Sequence, residues 1–181
     1  MIVGLNGAGK TTLGRALSEA LGWFRMDVED YYFPPSSPSE NPYAISRSQD
    51  EVRALMLSDM ALHGRFVLST VNGNWGDSIV SRVAAVILLD APLETRLSRI
   101  DRRSQARFGA RVAPGGDMYA QEQRFRAMAA ARSMQDIEIW VNALRIPSLR
   151  LDAAQPVEKG LSRSLEWLRE MGLIGDSHAH A

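Results

Sequence analysis

Between Thr11 and Leu21 the apolar residues Leu13, Ala16, Leu17, Ala20 and Leu21 recur at helical spacing, and Gly22 closes the segment. Short apolar runs of strand length flank it: Met1–Val3 ahead of Gly4, and Trp23–Met26 ahead of Asp27. Further along, Phe66–Val71 is rich in β-formers between Gly64 and Gly73, and Ala84–Leu89 is a continuous apolar run ending at Asp90. An unbroken run of that kind predicts a strand buried on both faces. Leu149–Leu151 is a last short strand. Helices fill the intervals. Ser48 to Glu51 forms a capping-box pattern ahead of Val52, Leu55, Met56 and Met60. Pro92 precedes Leu93, Leu97 and Ile100; Ile137, Trp140, Val141 and Leu144 mark another amphipathic stretch; and Pro156 opens a final helix carrying Val157, Leu161, Leu165 and Leu168.

About five strands alternating with about five helices predict an α/β fold, a three-layer α/β/α sandwich around a five-stranded parallel sheet. The proline-rich stretch inside residues 30–46 must be a loop, and residues 104–116, with Gly109, Pro114, Gly115 and Gly116, read as a lid-like excursion before helical pattern resumes at Asp117. At 181 residues the length fits one domain, 1–174, followed by a tail at 175–181. The first strand is shorter than usual, which leaves room for a start upstream of Met1.

Composition narrows the partners. Lys plus Arg and Asp plus Glu are equal at 21 each, so there is no global basic field to hold a nucleic acid or an anionic membrane. No apolar run approaches the ~20 residues of a membrane helix, no signal peptide is visible, and the absence of cysteine agrees with a cytoplasmic protein. The tail histidines His178 and His180 are assigned no metal, and His63 is read as a helix C-terminal residue.

Candidate chemistry begins at Gly4-Leu5-Asn6-Gly7-Ala8-Gly9-Lys10-Thr11, which fits G-x-x-x-x-G-K-[ST] between a strand and an amphipathic helix. Glycine is needed because the backbone must wrap closely around phosphate oxygens with its N–H groups pointing inward. The helix N-terminus adds partial positive charge, Lys10 reaches the β- and γ-phosphates, and Thr11 offers a hydroxyl to Mg²⁺. Gly4, Asn6, Gly7, Ala8, Gly9, Lys10, Thr11 and Thr12 are therefore the candidate nucleotide-binding residues, with ATP and magnesium as the expected ligands.

Beyond the P-loop, Val86-Ile87-Leu88-Leu89-Asp90-Ala91-Pro92-Leu93-Glu94 with Arg99 and Arg103, and Leu151-Asp152-Ala153-Ala154-Gln155-Pro156-Val157, resemble the nucleoside monophosphate kinases and their relatives. The resemblance implies that Arg99 stacks on the base, that Arg103 contacts the transferring phosphates, and that the loop around Gln155 touches the base through its backbone. The family's Gly-Thr in that loop is Ala153-Ala154 here. Spacing adds a physical argument: Arg99, Arg103 and Arg107 fall at i, i+4 and i+8 and share a helix face running into a segment that also carries Arg111. Closing such a lid would bring guanidinium groups onto the equatorial oxygens of the phosphoryl group in flight.

Adenylate kinases end the third strand in Asp, whereas Ser69-Thr70-Val71-Asn72-Gly73 has no carboxylate. The acidic cluster lies after the second strand instead, in Asp27-Val28-Glu29-Asp30, which looks like the shikimate and gluconate kinase branch. That likeness places Asp27 at the magnesium and at the acceptor hydroxyl, where it would position the hydroxyl and accept its proton. Glu29 stands where the branch has a second Asp, and its glycine triplet is reduced to Gly73. Asp27, Asp30, Asn72 and Arg107 are the candidate acceptor-side residues, with Tyr31-Tyr32-Phe33 and the stretch to Tyr43 as either pocket wall or packed surface loop; Trp75 reads more readily as core.

The expected activity is transfer of the γ-phosphoryl group of ATP to a small-molecule or nucleotide acceptor. Two other readings share the P-loop: a regulatory NTPase with no acceptor, and a resistance-type kinase acting on an antibiotic or sugar nucleotide. Translation-type GTPases are disfavoured because no N-K-x-D motif occurs.

Overall fold

The computed structural model describes residues 1–35 and 41–175. Part of the expected acceptor-side loop (36–40) and nearly all of the tail, with His178 and His180, lie outside the described residues. The strands are β1 (Ile2–Gly4), β2 (Phe24–Asp27), β3 (Phe66–Thr70), β4 (Val86–Asp90) and β5 (Ser148–Asp152). All pair in parallel, in the order β2-β3-β1-β4-β5. The helices are α1 (Lys10–Leu21), α2 (Val28–Tyr32), α3 (Gln49–His63), α4 (Asp77–Val80), α5 (Leu93–Phe108), α6 (Tyr119–Ala131), α7 (Met134–Ala143) and α8 (Val157–Glu170), with a 3-10 turn at Gly109–Val112.

Period-two alternation divides the central strands between two cores. Ile2, Ile87 and Leu89 face Leu13, Leu17, Trp167 and Leu168 of α1 and α8. Val3, Val86 and Leu88, the alternate residues, face Ile137 and Val141 of α7. A third cluster packs Met26 and Leu68 under Val52, Met56 and Met60 of α3, together with Trp75. Helices on both faces explain why β4 reads as one continuous apolar run.

The expected helices are present, with shifted faces and edges. The capping box at Ser48 and Glu51 forms in full, and the buried face of α3 is Val52, Met56 and Met60, leaving Leu55 on the exposed side. Residues 104–108 belong to α5, so the irregular part of the expected excursion is only the 3-10 turn and the turns leading to Tyr119. On α5 the inward residues are Arg96, Ile100 and Ser104, while Leu93 is exposed. The reason is polar: this face meets backbone carbonyls, which call for a donor rather than for leucine. Two short helices, α2 and α4, have no periodicity to announce them.

With β1 central, β3 on one side and β4 on the other, the chain changes direction at the C-terminal end of β1. An open parallel sheet builds its ligand crevice at that switch point. The P-loop, Asp27, Asn72 and Asp90 all emerge at this edge.

Candidate active site

The P-loop runs from Gly4 into α1, whose N-cap, Gly9, has a left-handed φ of 98°. Gly7 has φ 81°, and a Cβ there would lie 2.4 Å from the carbonyl oxygen of Arg96, so both backbone and space demand glycine. Lys10 Nζ donates to the Leu5 carbonyl at 3.1 Å, folding the lysine back across the loop. Burial lowers its ammonium to about 8, opposed by Asp27 and Glu29 and reinforced by Arg103 and Arg132. Four charged groups from different elements thus converge electrostatically on Lys10.

Asp27 ends β2 and caps α2. One carboxylate oxygen, Oδ1, accepts from the Glu29 N–H at 3.1 Å; the other, Oδ2, accepts from the Thr11 hydroxyl at 2.7 Å. Arg25 lies 4.0 Å from that second oxygen and is bonded to Asp30 at 3.0 Å. Thr11 and Asp27 are therefore brought together, whereas Asp30 is turned to Arg25. Thr12 follows on the exposed side of α1.

The continuous α5 presents Arg99, Arg103 and Arg107 along one side. Arg99 bridges two loops, donating to Ala153 O at 2.8 Å and to Ala8 O at 3.4 Å, which draws the 153–155 loop against the P-loop. In that loop Gln155 donates to Asp152. Arg103 stands 4.0 Å from Glu29. Arg107 donates to the Tyr43 hydroxyl at 3.0 Å. Arg111, past the end of α5, forks onto Asp117 at 2.7 Å. Asn72 is exposed just beyond β3, its carbonyl accepting from Thr70, while Trp75 is buried and donates to the same threonine.

Two residues of this arrangement, Arg96 and Arg132, are absent from the sequence-based reading, and two more, Glu29 and Tyr43, appear there without an assigned contact. Arg96 is 4% exposed and donates to both Asn6 O (3.3 Å) and Ala129 O (3.2 Å), pinning α6 to the P-loop. Its Nε has no partner among the described residues. Arg132 donates to Asn6 Oδ1 at 2.7 Å. Tyr43 and Glu29 are joined at 3.1 Å. A signal for Arg96 existed in its spacing, i, i+4 and i+8 with Ile100 and Ser104; nothing local marks Arg132, which reaches the site through tertiary packing.

A hard divalent cation suits this donor set. Thr11 and Asp27 supply neighbouring oxygens, and Mg²⁺ characteristically takes one or two carboxylates plus substrate phosphates and water rather than a full protein cage. Among the described residues no group of three or more His, Cys, Asp or Glu is assembled for a metal, and no helix is long and apolar enough to cross a membrane.

Comparison with known proteins follows the same lines. A family model described as an AAA domain matches residues 1–111. An uncharacterized protein of Bacillus subtilis (strain 168), YqaC, is 29% identical over 175 residues, covering 92% of this chain and 95% of that protein. A shikimate kinase of Gloeobacter violaceus is 28% identical over 127 residues, covering 65% of this chain and 68% of its own. Among solved structures, a gluconokinase from Sinorhizobium meliloti 1021 superposes with TM-score 0.57 at 18% identity over 94% of this chain and 91% of that one. At that identity the likeness carries the fold.

Proposed function

Because the chain belongs to the AAA domain family, with a P-loop as its nucleotide site, we propose that it is an ATP- and magnesium-dependent kinase that phosphorylates a small hydroxyl-bearing molecule. One observation carries the reading: the Asp27 carboxylate sits at the end of β2 with one oxygen bonded to the P-loop Thr11 and the other capping α2. A carboxylate in that place is at once beside the triphosphate and beside the acceptor side of the crevice. The shikimate kinase relative and the gluconokinase neighbour, both of which act on hydroxylated small molecules by name, support the same class of acceptor.

In this mechanism the P-loop amides and the α1 N-terminus hold the β- and γ-phosphates. Magnesium, held by Thr11 and Asp27, would neutralise charge on the phosphate oxygens when bound. Lys10 swings from Leu5 O to the γ-phosphate. Asp27 orients the acceptor hydroxyl; as the new O–P bond forms and the bond to the β-phosphate oxygen breaks, the hydroxyl proton passes to Asp27 and ADP leaves. The transition state is loose, so Asp27 acts mainly by positioning. Arg103, on α5 opposite Glu29, stabilises the charge spread over the three equatorial oxygens. Arg99, between the P-loop and Ala153, packs against the base.

A thermal-shift screen with Mg²⁺–ATP, Mg²⁺–GTP and a panel of hydroxylated metabolites tests the reading. A ligand at ~100 times its Kd stabilises by about 2.7 kcal/mol, a shift of several degrees. A shift with ATP and a further shift with one metabolite supports the kinase and identifies its acceptor. Stabilisation by nucleotide alone favours a regulatory NTPase, and no nucleotide shift overturns the P-loop assignment.

A further inference from the structure

The acceptor side of the crevice already contains an alcohol, the phenol of Tyr43. Its hydroxyl donates to Glu29 Oε1 at 3.1 Å and accepts from an Arg107 guanidinium nitrogen at 3.0 Å. Glu29 belongs to the turn that Asp27 caps, and its other oxygen lies 4.0 Å from Arg103. The tyrosine hydroxyl is therefore lodged between a carboxylate and a guanidinium, within one turn of the carboxylate that meets the P-loop. That is the environment a substrate hydroxyl would require.

The ring is held as firmly as the hydroxyl. Phe33 stands edge-on at 5.0 Å, Phe108 edge-on at 6.2 Å, and the Arg107 guanidinium lies over the ring at 5.5 Å. The chain on either side of Tyr43 is tied to two elements. Asn41 donates to Gln121 of α6 at 2.6 Å and accepts from the Tyr43 N–H at 3.0 Å, while the Arg47 N–H donates to Tyr32 O at 2.9 Å. Residues 41–47 thus form a strap from α2 across to α6, with Tyr43 pointing into the space between α2 and α5. Burial and the adjacent Glu29 push the phenol up to about 12, so it stays a hydrogen-bond donor and is a poor nucleophile in its own right.

We propose that Tyr43 is the selectivity residue of the acceptor side: its hydroxyl occupies the Glu29–Arg107 position, and an acceptor enters only by displacing it. The proposal rests on the kinase reading above. An occupied position lowers apparent acceptor affinity by the fraction of time the tyrosine is seated. In return it keeps water, which cannot offer compensating contacts to both Glu29 and Arg107 along with ring packing, from serving as a routine phosphoryl acceptor.

Tyr43→Phe tests this directly, because it keeps the ring contacts and removes only the hydroxyl. The measurement is phosphate release from Mg²⁺–ATP with water as the probe acceptor, alongside the KM for ATP and the melting temperature. The expected result is release roughly three- to tenfold faster than in the unaltered protein, the scale of one or two net hydrogen bonds, with ATP KM unchanged and the melting temperature lowered by no more than about 2–6 degrees. The gain should vanish in the Lys10→Ala, Tyr43→Phe double variant. A merely structural tyrosine gives no such gain. Release equal to or slower than the unaltered protein's, at unchanged ATP binding, overturns the role of Tyr43 and leaves the kinase reading standing. A gain that survives Lys10→Ala also overturns it. Failure of the kinase reading is seen separately, as the absence in the unaltered protein of any further thermal shift from a hydroxylated metabolite beyond that with Mg²⁺–ATP.

Discussion

The Thr11 hydroxyl donates to Asp27 Oδ2 at 2.7 Å, joining the first residues of α1 to the end of β2. The two lie sixteen positions apart in the chain, and in the proposed mechanism they stand on the nucleotide and the acceptor side of the crevice.

Asp27→Asn keeps the shape of that contact and removes its charge. The variant should retain ATP affinity within about threefold and lose phosphoryl transfer by on the order of a hundredfold or more, the usual worth of a positioned general base. Isothermal titration with Mg²⁺–ATP and a transfer assay separate the two effects. If affinity falls as far as in Lys10→Ala, the charge of Asp27 acts through the metal, and its role at the acceptor hydroxyl is overturned.

Lys10 gives a prediction about stability that runs opposite to its role in binding. Its folded pKa, lowered to about 8 by burial, lies below the ordinary value of 10.5. The unfolded chain therefore holds the proton more tightly. Keeping Lys10 charged costs the nucleotide-free fold stability in full below pH 8, and the cost fades as pH rises from about 8 to 10.5. Lys10→Met should raise the melting temperature of the nucleotide-free protein by a few degrees at pH 7, with the gain disappearing near pH 10.5, while abolishing stabilisation by Mg²⁺–ATP. A loss of melting temperature at pH 7 would mean that the contact with Leu5 O outweighs the desolvation.

The part of this architecture legible from the chain is the part that repeats locally. The apolar run Ala84–Leu89, the 3.6-residue spacing of Leu13, Leu17 and Leu21 and the Gly-rich motif each encode their own element, and β4, α1 and the P-loop lie where those signals put them. What escaped was set by tertiary contact. Arg96 lies inside because α5 packs on the carbonyls of Asn6 and Ala129; its spacing with Ile100 and Ser104 marks the face but not the carbonyls that a donor must meet there. Tyr43 reaches Glu29 and Arg107 across sequence separations of 14 and 64, beyond any pattern in the chain. Within the carboxylate cluster the sequence singled out Asp27 ahead of Asp30, and the fold separates them: Asp27 caps α2 and meets Thr11, while Asp30 is turned to Arg25.

Gly73 follows Asn72 at the mouth of the crevice, and a Cβ built on it would fall 1.8 Å from the Trp140 ring of α7. Unlike the P-loop glycines, Gly73 has no left-handed φ; its constraint is the indole pressed against it. Gly73→Ala should therefore destabilise by about 1–3 kcal/mol, the cost of overpacking a filled site. Urea denaturation measures this, and the double change Gly73→Ala, Trp140→Leu should recover part of the loss. A neutral Gly73→Ala would show that α7 can retreat without cost.

Arg103 stands half-exposed beside Glu29, with its guanidinium still 4.0 Å from the carboxylate. So loose a pair contributes little to stability, on the order of 1 kcal/mol or less. In the proposed mechanism the side chain would turn from Glu29 to the γ-phosphate as charge develops there, an interaction stronger in the transition state than in the ground state. Arg103→Ala should leave the melting temperature within about 1–2 degrees of the parent's. It should lower kcat by one to three orders of magnitude, roughly the range for losing a donor to developing oxyanion charge, with KM for ATP changed by less than about threefold. Steady-state kinetics with the acceptor saturating decide the matter. A raised KM with kcat preserved would assign Arg103 to ground-state binding of the triphosphate.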